Sequence, residues 1–223
     1  MSKLVVENIS IGFVKHHQLL SETDFYCHSQ EIVGVFGRNG SGKSTLFKMI
    51  FGVEKAGSIM IKIDDRLIPR QRIIPSCDIG LLPQDHFLPK TCLVKNIIPL
   101  FYPSGDDQNK IFYSKRINLL ENKQIGTLSE GELKYLELLL IGNLGHNFLI
   151  LDEPFSMVEP LYRDVIKEFL FEIKKKKGIV ISDHYYEDVL ALADRSYLIN
   201  DQKLVEINGI NELIENDYIN CCT

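Results

Sequence analysis

Within the segment Gly37-Arg38-Asn39-Gly40-Ser41-Gly42-Lys43-Ser44-Thr45 the first eight residues satisfy every position of the spacing GxxxxGK[ST]. Glycines at these places let backbone N–H groups turn inward around an anion, because no Cβ stands in the way. In that arrangement Lys43 is expected to neutralise the β- and γ-phosphates of a nucleotide, and the Ser44 hydroxyl to reach Mg²⁺. A second chemical centre is Asp152-Glu153, at the end of the apolar run Phe148-Leu149-Ile150-Leu151. A buried strand there would deliver Asp152 to a metal's coordination shell, directly or through water, and place Glu153 to polarise an attacking water. Adjacent acids at a strand end carry little information alone. A phosphate loop upstream gives them a purpose.

These residues need a scaffold of strands handing over to loops. Ile32-Val33-Gly34-Val35-Phe36 is continuously apolar, as a buried strand requires, and Ser44 to Phe51 can form the helix whose positive end faces the anion. Further strands are expected at Leu4–Ile11, around Phe25–Cys27, at Ser58–Ile63 before an Asp64-Asp65 turn, and at Asp78–Leu82. From Asp85 to about Gly142 prolines and a polar turn replace buried strands, and helices are expected at Gln108–Leu120 and Glu130–Ile141. Ser129 would cap the latter, with Glu132 completing a capping box. Strands resume at Asn147–Leu151, Gly178–Ser182, Ser196–Asn200 and Lys203–Ile207, with helices expected at Leu161–Lys174, Tyr185–Ala193 and Gly209–Glu215, and a polar tail free to fray. The alternation predicts an α/β core with parallel strands.

Composition narrows the function. The chain has 223 residues and a formal charge of −5, which offers no general attraction to nucleic acid or to anionic lipid. The basic run Lys174–Lys177 reads as a solvated helix end. Cys27, Cys77, Cys92, Cys221 and Cys222 show no metal or disulfide spacing and read as free thiols of a reducing compartment, the cytoplasm being the simplest. No stretch approaches the roughly 18 apolar residues of a membrane span.

The ordered set resembles the ATP-binding-cassette ATPase family along essentially the whole chain. Leu128-Ser129-Glu130-Gly131-Glu132 looks like its signature, with Glu130 where glycine is usual. Gln84 matches the glutamine between core and helical subdomain, His184 in Ser182-Asp183-His184 matches the switch histidine, and Phe13 is a candidate to stack on adenine. The resemblance implies a P-loop hydrolase core at 1–84 and 143–223, an N-terminal antiparallel β subdomain and a helical insertion at about 85–142. It further implies ATP and Mg²⁺ as ligands, the ion on Ser44, Gln84 and Asp152, and ATP hydrolysis in a head-to-tail homodimer. Glu153 would be the base or water-orienting group, with His184 and Gln84 beside it. Ser129, Glu130, Gly131 and Glu132 would face the partner's ATP.

The same resemblance implies separate transmembrane subunits, a place at the inner face of the plasma membrane, and a groove near His86, Phe87 and Leu88 for a membrane partner; internal packing is an equal reading for the two apolar residues. Within the family the chain looks most like the lipopolysaccharide-export and branched-chain-amino-acid transporter branches. Two departures bear on turnover: Glu130 brings a carboxylate toward a triphosphate, and Met157 and Glu159 replace a small residue and an aspartate in the loop after Glu153. The alternatives are a soluble, non-transport ATPase of the same type and a weakly hydrolysing regulatory subunit.

Overall fold

The computed structural model describes residues 2–13 and 17–219. A long hairpin, β1 (Lys3–Phe13) and β2 (His17–His28), precedes β3 (Ile32–Phe36), α1 (Lys43–Ile50), β4 (Gly57–Ile63), β5 (Arg66–Leu67), α2 (Arg70–Ser76) and β6 (Ile79–Leu82). Next come three helices, α3 (Val94–Phe101), α4 (Gly105–Phe112) and α5 (Glu130–Gly142). The chain continues through β7 (Phe148–Asp152), α6 (Pro160–Lys174), β8 (Gly178–Ser182), α7 (Tyr186–Leu192), β9 (Arg195–Asn200), β10 (Lys203–Ile207) and α8 (Ile210–Glu215).

The strands form two sheets. One is antiparallel, in the order β2-β1-β4-β5. The other has the order β10-β9-β3-β8-β7-β6; its last five members run parallel, and β10 closes the edge antiparallel. Every residue of β3, β7 and β8 is buried, because both faces of this sheet are covered. Val33, Val35, Phe148, Ile150 and Val180 point toward the antiparallel sheet and α1. Ile32, Phe36, Leu149, Leu151, Ile179 and Ile181 point into the core shared with the helices. In β1 the buried residues Leu4 and Val6 give way to Ile9 and Ile11 across a register shift, with Asn8 at a φ of 54°. This bulge keeps the apolar side inward despite the three-residue step.

Parallel pairing brings the carboxyl ends of β3, β6, β7 and β8 to one edge of the sheet, where loops carrying ligands are placed in open α/β folds. The phosphate loop follows β3, Gln84 follows β6, Asp152 ends β7 and His184 follows β8.

Several elements depart from the pattern read in the sequence. The expected helix Gln108–Leu120 is instead α4 and a separate 3₁₀ turn, Ile117–Leu119, divided by Arg116 at a φ of 66°. Asp106 and Asp107 occupy the first turn of α4, which moves its start forward to complement the helix dipole. Helices α2 and α3 escape sequence reading because each holds a proline, Pro75 and Pro99. The basic run at the end of α6 is not uniformly solvated: Lys177 is buried, its ammonium donating to the carbonyls of Leu144 and His146, while Lys174 pairs with Asp194. The chain after α8 turns back onto the phosphate loop. There Arg38 donates to the Asp217 carbonyl at 2.8 Å and the rings of Phe36 and Tyr218 meet edge-on. Cys27, Cys77 and Cys92 are free thiols; Cys221 and Cys222 lie outside the described residues.

Candidate functional site

The loop between β3 and α1 is built for backbone N–H groups rather than side chains. Gly40 and Gly42 have φ of 78° and 102°, in the left-handed region that favours glycine, and a Cβ added at Gly40 would meet nothing within 4 Å. Asn39, Gly40 and Ser41 follow Gly37 around the turn, and Lys43, Ser44 and Thr45 open α1. Lys43 is only 8% exposed. Its ammonium curls back into the loop, donating to the carbonyl of Gly37 at 2.6 Å and of Arg38 at 3.2 Å. Burial lowers its pKa, opposed by the carboxylates of Glu153 and Asp152. A buried cation beside inward-facing amides is the electrostatic complement of a polyphosphate.

Asp152 ends β7 with 2% exposure, and its Oδ1 has no hydrogen-bond partner. Burial raises its pKa; Ser44 opposes that shift, Glu153 adds to it, and Lys48 and Lys43 oppose it. An orphaned buried carboxylate oxygen beside a serine hydroxyl is the donor chemistry of a hard cation. Among the described residues no group of three His, Cys, Asp or Glu side chains forms an all-protein cage. Mg²⁺ needs none, since it takes one or two carboxylates and completes its shell with water and substrate phosphates. Ser44 and Asp152 therefore fit the ion.

Glu153 is held by its backbone and by both carboxylate oxygens. Its backbone sits at a φ of 55°, costly for a residue with a Cβ, and its N–H donates to the Ser182 carbonyl at 2.8 Å. One carboxylate oxygen accepts from Gln84 Nε2 at 3.1 Å and the other faces His184 Nε2 at 2.9 Å. Residues that follow three different strands thus converge on one carboxylate. Asp183 fixes the relation between two of the loops: its carboxylate accepts from the backbone N–H of Phe155 at 2.7 Å and of Tyr185 at 3.0 Å. Burial pushes the Asp183 carboxyl up to about 6 against those two hydrogen bonds. Neither Asp183 nor the buried Lys134, whose ammonium reaches the Gln84 carbonyl at 2.9 Å, was recognisable as part of the site from sequence.

Ser129, Glu130, Gly131 and Glu132 lie at the start of α5. The capping box is complete: Ser129 N–H donates to Glu132 Oε2 at 2.9 Å, and Glu132 N–H to Ser129 Oγ at 3.3 Å. A Cβ on Gly131 would lie 2.7 Å from Glu159 Oε2, so the loop after Glu153 rests directly on this turn. Among the described residues no hydrogen bond or ion pair joins these four to the Lys43 or Glu153 side chain. Phe13 closes β1 opposite His17; its side chain lies outside the described residues. Leu88 is buried in the helical core, whereas Phe87 is partly exposed.

Residues 20–156 match the family described as ABC transporter. The chain belongs to this family. It is an ATP-binding and ATP-hydrolysing subunit of the ABC-transporter type. Among similar proteins of this kind is the lipopolysaccharide export system ATP-binding protein LptB of Escherichia coli (strain K12), 26% identical over 98% of this chain and 95% of that protein. The protein of the same name from Haemophilus influenzae is 28% identical over 97% and 94%. The fold is also that of a nucleotide-free ATP-binding cassette from an ABC transporter, with a TM-score of 0.82 at 21% identity over 99% of this chain and 96% of that one.

Proposed function

We propose that this subunit hydrolyses ATP in a head-to-tail homodimer to power separate transmembrane subunits, sitting against the inner face of the plasma membrane through them. The observation that carries the reading is the Glu153 carboxylate, fixed between Gln84 and His184 at the edge of the sheet where Lys43 stands among the loop carbonyls. Core 1–84 and 143–223 carries this chemistry, and the helices of about 85–142 form the subdomain that presents Ser129 and its neighbours. No helix among the described residues is long and apolar enough to cross a membrane, so passage through one would fall to partner chains. The named relatives serve lipopolysaccharide export, which supports a transport role.

ATP supplies the triphosphate; the loop Gly37–Thr45 binds it with N–H groups and with Lys43, which exchanges carbonyl partners for phosphate oxygens. Phe13 stacks on the base. Mg²⁺, held by Ser44, Asp152 and Gln84, would neutralise charge on the β- and γ-phosphates. Glu153 accepts a proton from, or orients, the attacking water, and His184 turns its donor toward the γ-phosphate once substrate competes for it. The dimer partner brings the Ser129 hydroxyl, the Gly131 amide and the positive end of α5 to the same phosphate. Glu153→Gln removes the base while leaving a hydrogen-bonding side chain of similar shape. Steady-state turnover should fall at least about 100-fold, the lower range for a general base, with ATP still bound. Equal turnover of the two forms, in the presence of co-purified membrane subunits, refutes the motor reading.

A further inference from the structure

Glu130 poses an electrostatic problem that the fold addresses with a residue from another loop. His86 lies two residues after Gln84 and places its ring between two carboxylates: Nε2 is 2.7 Å from Glu130 Oε2, and Nδ1 is 2.8 Å from Glu137 Oε2. The ring therefore bridges two carboxyl groups, one at the rim of α5 and one in its interior. Glu137 is fully buried and also accepts the Phe87 backbone N–H at 2.9 Å, while the Lys134 ammonium lies on the Gln84 and Pro83 carbonyls. The segment from Gln84 to Phe87 is therefore stitched to α5 at two depths. Glu137 and Lys134 anchor it inside, and Glu130, with a side chain 58% exposed, is tied down at the rim by His86 alone.

We propose that His86 is a positioning residue that turns the Glu130 carboxylate away from the dimer partner's ATP, letting a signature with an acid at its third position close on a triphosphate. The inference rests on the head-to-tail dimer proposed above. Released from His86, the Glu130 carboxylate has no other hydrogen-bond or ion-pair partner among the described residues and swings freely at the first turn of α5, where a like charge opposes phosphate. Glu132, the other acid of that turn, is occupied by Lys123 and by its capping bond, so it offers no comparable hazard.

A double-mutant cycle tests this on the full chain. His86→Ala should raise the KM for ATP about tenfold with a smaller effect on kcat, and in a Glu130→Gly background the same substitution should change KM by less than about twofold. His86→Gln, which keeps a hydrogen-bonding group of similar reach, should hold KM within about threefold of the parent, and thermal midpoints of all forms are measured so that a folding defect is not mistaken for the effect. An equal KM change in both backgrounds, or none in either, overturns the proposal. ATP-dependent dimerisation of Glu153→Gln is followed in parallel by sedimentation. If that form binds ATP but stays monomeric, the dimer reading fails and this one with it; if it dimerises with an affinity indifferent to His86→Ala, the His86 assignment alone fails.

Discussion

Replacing Lys43 with methionine separates its two roles, phosphate ligand and internal brace. Without nucleotide the ammonium makes hydrogen bonds to the carbonyls of Gly37 and Arg38, at about 1 kcal/mol each. Against this stands the cost of holding a charge at 8% exposure, which the lowered pKa records. Methionine of similar length loses the first and is relieved of the second. Net stability should move by no more than about 1 kcal/mol, or about 2–4 °C in the midpoint of a domain this size. With ATP the balance is one-sided: a charge-assisted contact to phosphate is lost, about 3 kcal/mol or on the order of 100-fold in Kd. Thermal shift reads both effects in one experiment. At an ATP concentration 100 times the wild-type Kd, the parent gains about 2.7 kcal/mol and a variant 100-fold weaker gains about 0.4 kcal/mol. A variant whose nucleotide-free midpoint falls by more than about 10 °C, or whose ATP affinity stays within about threefold of the parent, would refute this partition.

Two further outcomes concern the supports of the site. Asp183 is 1% exposed, with its carboxyl raised to about 6. Between the unfolded value near 3.9 and about 6 the folded chain therefore binds more protons, and this group makes stability fall as pH rises through that window, by about 3 kcal/mol in total. Asp183→Asn should flatten that part of the midpoint-against-pH curve relative to the parent; parallel curves would show that the carboxyl does not titrate there. Lys177→Met should cost about 2 kcal/mol by stranding the Leu144 and His146 carbonyls, while Lys175→Met, at an exposed position, should stay within about 0.5 kcal/mol. Denaturant midpoints for the pair decide it, equal losses counting against a buried cap.

What could be read from sequence follows the range of the interactions. The phosphate loop and the strands around it were legible because their signals are local: glycines at required turns, apolar runs at every position of β3, β7 and β8. The capping box of α5 was legible for the same reason, since Ser129 and Glu132 are three residues apart. Helices α2 and α3 were not, because tertiary packing tolerates Pro75 and Pro99 where propensity forbids them. Lys177 shows the same failure in charge patterning. Four lysines in a row read as solvated, yet one of them turns inward to satisfy carbonyls that belong to a loop about thirty residues earlier.

Glu130 marks the limit of motif reading most sharply. Taken as one letter in a signature it is a defect, and from the sequence it argues for slower closure. In the fold its meaning depends on a histidine 44 residues earlier, and on Glu137 two turns further along the same helix. His86 in turn had no sequence signal apart from its position after Gln84. Substituting glycine at 130 without touching His86 would therefore not simply restore a usual signature: it would leave His86 bonded to Glu137 alone and loosen the rim of the connection between α5 and the Gln84 segment. The two positions are one unit, and the cost of changing either depends on the other.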